Sequence, residues 1–143
     1  MMKIGKWNLV VGGFGLLIAA FGGIALGFTF DQYAVSENRE HVLSLVRFYL
    51  REGHSHGMPM ALLNLIFGLA IDRLELSDRF KRIGSIGALL AFVLPLSLFL
   101  KGAFGAPDDF PPIGLIGILG FLAAAITLGV GALRLPAGGK AAA

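Results

Sequence analysis

Residues 9–30 read LVVGGFGLLIAAFGGIALGFTF and carry no charge. At ~1.5 Å rise per residue such a helix covers the ~30 Å hydrocarbon core of a bilayer. Lys3, Lys6 and Trp7 precede it as charged and aromatic anchors. Ala25-Leu26-Gly27 is a weak match to a signal-peptide cleavage site. The apolar run is longer than the ~7–15 residues of a signal h-region, so the stretch reads as a retained span. Gly15, Ala19, Gly23 and Gly27 recur every fourth residue, a small-residue stripe that lets another helix approach closely.

The rest of the 143-residue chain agrees with that beginning. Hydrophobic residues make up 56% and charged residues 15%, well below the ~25% charged of a soluble domain. The apolar residues fall into four blocks, which predict spans at about 9–30, 57–74, 83–100 and 113–133. The second is the shortest uncharged run; Asp72 and Arg73 would lie at its far interface, with Arg73 snorkelling. Pro95 predicts a kink in the third span. Gly114, Gly117, Gly120 and Ala124 line one side of the fourth. Residues 136–143 read as a disordered tail, and residues 1–135 as one domain.

Between the first two blocks, residues 36–52 have helical apolar spacing interrupted by Glu37, Arg39, Glu40, Arg47 and Arg51. This predicts an amphipathic helix lying in the membrane interface, capped by Ser36 and ended by Gly53. The expected fold class is therefore an all-α membrane protein: a left-handed, mostly antiparallel four-transmembrane-helix bundle with one amphipathic interfacial helix between the first and second spans. The glycine-rich faces of the first and fourth spans are expected to meet each other or partner subunits. Self-association or assembly with other membrane subunits would run through Gly15, Ala19, Gly23 and Gly27 and through Gly114, Gly117 and Gly120.

Topology follows from the basic residues. Lys3, Lys6, Arg73, Arg79, Lys81, Arg82, Arg134 and Lys140 fall on one side; Arg39, Arg47, Arg51 and Lys101 fall on the other. The excess places both termini in the cytoplasm. In a bacterial-type inner membrane, the loop after the amphipathic helix then faces the periplasm. The net charge of +3 belongs to this topology, and no basic-aromatic motif points to nucleic acid. The chain has no Cys, which excludes disulfides, Fe–S clusters and thiol chemistry.

One short stretch holds metal-type ligands: His54-Ser55-His56-Gly57-Met58-Pro59-Met60. Imidazole suits copper, zinc and haem iron; thioether favours Cu(I) or low-spin haem. Two geometries are open. If the stretch is helical, His54 and His56 point ~200° apart and cannot share an ion. His54 then aligns with Met58, Ala61, Asn64 and Gly68 on a small and polar stripe facing the bundle. If the helix starts at Pro59, the favoured first helical position for proline, residues 54–58 form a loop. An extended loop puts His54, His56, Met58 and Met60 on one side, able to enclose copper or haem b, with His41 a further ligand. Pro59 favours the second geometry. Asn64 is expected either to hydrogen-bond between helices or to hold a cofactor group such as a haem propionate or a quinone. The competing reading has no cofactor at all: interfacial His and packing Met are ordinary.

Enzyme signatures are missing. There is no G-x-S-x-G, Walker loop, dinucleotide fingerprint or H-E-x-x-H, and no acidic residue mid-span. The expected function is a non-enzymatic accessory or assembly subunit of a respiratory or metal-handling system. The alternatives are a purely structural membrane subunit and, with less support, a small transporter or channel.

Overall fold

The computed structural model describes residues 4–34, 44–105 and 110–135, with side chains excepted from 29 to 34. Among these the architecture is all-helical. Helix α1 spans Lys6–Ala34, α2 Leu45–Ala70, α3 Asp78–Leu90, α4 Val93–Ala103 and α5 Gly114–Leu133, with a 3-10 turn at Ile71–Arg73. Three stretches are long and apolar enough to cross a membrane: Lys6–Phe28, Asp78–Ala103 and Gly114–Leu133. The chain thus has the make-up of an integral membrane protein.

Helices α3 and α4 are one stretch bent at Ala91 and Phe92, as expected from Pro95. Proline has no N–H to give the Ala91 carbonyl, which instead accepts from Leu94 N at 3.3 Å. Below the bend α3 lies along α5; above it α4 closes onto α2.

Helix α2 departs most from the sequence expectation. Residues 45–52 are no separate interfacial element, and the helix neither stops at Gly53 nor starts at Pro59. Residues 36–43, including His41, lie outside the described residues. Ser44 caps the helix, its hydroxyl accepting from Arg47 N at 3.3 Å. Gly53 serves contact rather than termination: a Cβ there would stand 2.8 Å from Phe99 Cβ on α4. Pro59 sits on the exposed face, and its cost is the hydrogen bond lost at the Ser55 carbonyl.

The packing follows chain order: α1 lies against α2, α2 against α4, and α3–α4 against α5. Small residues make each seam. Between α1 and α2, Gly5 meets Gly68, Gly12 meets Ala61 and Leu65, and Gly23 meets His54. Between α3–α4 and α5, Gly87 meets Gly120, Gly84 meets Thr127, and Gly114 meets Ser97. The stripes on the first and last helices therefore do not pack on each other; both are used against the middle of the chain. Gly27 falls off its stripe, with nothing within 4 Å. Phe67, Ile71, Leu74, Ala88 and Ala124 form the main core cluster.

The outer surface is apolar. Phe14, Ile18, Phe21 and Phe28 on α1 and Leu119 on α5 are all more than 60% exposed. A water-soluble bundle would bury such side chains. Charges collect at the two ends. Lys6, Arg73, Arg79, Lys81, Arg82 and Arg134 lie at one; Arg47, Arg51, Glu52 and Lys101 lie towards the other.

Candidate functional site: a polar knot and a histidine seam

Two polar features lie inside this apolar frame. The first ties three helices together near the end that carries Lys6. Asn8 on α1 and Asn64 on α2 are both fully buried. Asn8 Nδ2 donates to Asn64 Oδ1 at 2.9 Å and to the Ser85 carbonyl at 3.0 Å. Asn64 Nδ2 donates to the carbonyls of Met60 at 3.0 Å and Ala88 at 2.6 Å. The Ser85 hydroxyl lies 2.5 Å from Asn8 Oδ1 and donates to it. Both N–H donors of each amide are thus committed, and each Oδ1 accepts. Among the described residues no buried side-chain polar atom lacks a partner. A closed network of this kind suits a site without water, where an unmatched amide is costly.

Asn64, a candidate cofactor ligand by sequence, thus spends its donors on protein groups. Its partner Asn8, and Ser85 on the other side of Asn8, were not singled out from the sequence. The signal was present: Asn8, Gly12, Gly15, Ala19 and Gly23 share one stripe at helical spacing. A lone amide on a small-residue stripe belongs to the helix seam rather than to the flank of the span.

The second feature is the histidine stretch, which is helical throughout. His54 and His56 therefore diverge by ~200°. His54 turns to α1, where its Nδ1 stands 2.7 Å from the Ala19 carbonyl. A carbonyl only accepts, so Nδ1 carries a proton, and Nε2 is the ring nitrogen left to offer a lone pair. Gly23 makes room for the ring: a Cβ there would stand 2.5 Å from Cε1 and 2.8 Å from Nε2. No described group hydrogen-bonds Nε2, and Nε2 is not sealed inside the protein.

His56 stays on its own helix. Its Nδ1 lies 2.9 Å from the Glu52 carbonyl and 3.6 Å from Glu52 Oε2. Met58 is half-buried and Met60 buried, 7% exposed. The four residues thus do not converge on one centre. The continuous helix separates what an extended loop would have joined. Among the described residues, no group of three or more His, Asp or Glu stands close enough to hold an ion.

The depth of His54 is the less expected result. Its neighbour Gly23 lies within the apolar stretch Lys6–Phe28 of α1, not at its end. One or two turns nearer the same end, Arg47 donates from its guanidinium to the Leu26 carbonyl at 2.9 Å, and Lys101 lies over the Tyr49 ring at 5.6 Å. Imidazole at such a depth is rare in membrane helices and usually faces the protein interior or a functional path.

No protein-family model, no curated protein and no solved structure matches this chain.

Proposed function

We propose that the protein is a four-span integral membrane protein that acts as a structural or accessory subunit, without chemistry of its own. The observation that carries this reading is the inverted distribution of side chains. Glycine, alanine and hydrogen-bonded amides fill the seams, while large apolar residues cover the outer faces of α1 and α5. Lipid and the apolar surfaces of other membrane proteins are the media such faces suit.

Helix α2 is the fourth span in this reading. It runs antiparallel to α1, from Gly5 opposite Gly68 to Leu26 opposite Arg47. A helix paired with α1 over that length crosses wherever α1 crosses. The end holding Lys6, Arg79, Lys81 and Arg82 faces the cytoplasm, and the His54 end faces outward. Because the small-residue stripes serve the monomer's own seams, partner subunits meet the large apolar faces instead. Phe14, Ile18 and Phe21 lie on one such face at helical spacing.

Native extraction of the tagged chain tests this. The expected result is an assembly larger than the monomer that dissociates when Phe14 and Ile18 are both changed to Ala, with the helical spectrum retained. A wild-type chain that migrates as a monomer in every mild detergent would remove the subunit reading.

A further inference from the structure

We propose that His54 and Met58 form a binding site for Cu(I) at the outer end of the seam between α1 and α2, a role that goes beyond the subunit reading and does not depend on it. The continuous helix decides which residues can cooperate. Positions 54 and 58 are one turn apart on the same flank of α2, with Cβ atoms ~5–6 Å apart. The same i, i+4 spacing lets paired histidines on a helix hold one zinc ion. His56 points away from that flank, and Met60 is buried on another face.

The imidazole is already held in the manner of a metal ligand. Ligating histidines commonly give their second ring N–H to a carbonyl or carboxylate, which fixes the tautomer and aims the lone pair. Here Nδ1 gives its proton to the Ala19 carbonyl at 2.7 Å, and Gly23 leaves room for the ring. The ligand atom is therefore Nε2, which has no other partner among the described residues.

The donor set selects the ion. Imidazole and thioether are both neutral, and among the described side chains no carboxylate shares their flank; Glu52 is turned towards His56. Neutral donors leave the ion's charge uncompensated at a depth where desolvation is expensive, and that expense rises with the square of the charge. A monovalent ion is thus favoured over Zn(II) or Cu(II). Thioether softness then selects Cu(I), which accepts few donors, over hard cations. Arg47, two turns away on the same flank, is held off by its bond to Leu26. The protein would then belong to a system that stores or passes copper at the outer face of the membrane.

The test is an anaerobic Cu(I) titration of the full chain in detergent against a chromogenic Cu(I) chelator. The wild type should bind one Cu(I) per chain. His54→Ala and Met58→Leu should each weaken binding by more than the ~10–100-fold typical of losing an outer-shell partner. His56→Ala and Met60→Leu should leave it unchanged. Met58→Leu conserves volume and keeps the fold, and circular dichroism checks that it does. X-ray absorption of the loaded protein should show copper–sulfur scattering that Met58→Leu removes. Failure of the wild type to bind stoichiometric Cu(I), equal dependence on His56, or copper–sulfur scattering that survives Met58→Leu would each overturn the proposal. So would a haem titration producing a His54-dependent Soret band while Cu(I) fails to bind. None of these outcomes depends on whether the chain assembles with partners.

Discussion

The side-chain amide of Asn8 donates to Asn64 Oδ1 across 2.9 Å, and through that bond the first two helices are fixed in register. The bond is not isolated. Ser85 closes the far side of Asn8, and Ala88 takes the remaining donor of Asn64. Removing any member leaves another without its partner in a dry site.

Asn64→Ala should therefore destabilise the folded protein by ~1–3 kcal/mol, the cost of stranding a buried polar group. The pairwise coupling of Asn8→Ala with Asn64→Ala should be smaller. Interhelical hydrogen bonds in membranes average ~0.6 kcal/mol and reach ~1.7 kcal/mol. A double-mutant cycle read by detergent-induced unfolding gives both numbers. Strictly additive single mutants would show that the two amides do not act as a pair.

Glycines separate into those that hold helices together and those that do not. At Gly120 a Cβ would stand 2.6 Å from the Gly87 carbonyl, and at Gly12 2.8 Å from Leu65 N. These obstacles are backbone and cannot rotate away. Gly120→Leu and Gly12→Leu should each cost several kcal/mol, in the upper range of overpacking effects of ~1–3 kcal/mol or beyond. Gly13, Gly22 and Gly129 face open space, so leucine there should be neutral or gain up to ~1 kcal/mol of helix propensity. Thermal unfolding of the purified variants sorts the two groups. Equal tolerance at Gly120 and Gly129 would contradict the packing of α5 on α3.

Topology can be tested with single cysteines, since the chain has none of its own. Phe104, 83% exposed beyond α4, should react as Phe104→Cys with a membrane-impermeant maleimide on intact cells. Glu75→Cys, at the end rich in arginine and lysine, should react only after permeabilisation. The reverse pattern would turn the protein over and put His54 on the cytoplasmic side.

The imidazole socket makes a further prediction. Gly23→Ala would place a methyl 2.5 Å from His54 Cε1. The ring must swing away, losing its bond to Ala19 without losing its own chemistry. Histidine NMR should show a changed Nδ1 environment for His54 and an unchanged one for His56. Identical spectra would place the ring elsewhere.

The sequence by itself determined that this chain is helical and made for lipid. Uncharged runs such as residues 9–30 leave little else possible, because backbone groups in hydrocarbon must be satisfied within the helix. It also determined the bend at Pro95, since a missing N–H is a local fact. It did not determine where α2 begins. Gly53 and Pro59 read locally as a stop and a start, yet the helix runs through both, with Gly53 packed against Phe99 and Pro59 on the exposed face. That single extension decided the candidate site, for it separated His54 from His56 and set Met58 one turn from His54 on the same flank. It was likewise the packing of α2 on α1 that joined Asn64 to Asn8, 56 residues away in the chain. A seam takes its partners from two helices at once, and only tertiary structure says which residues of the second helix face those of the first.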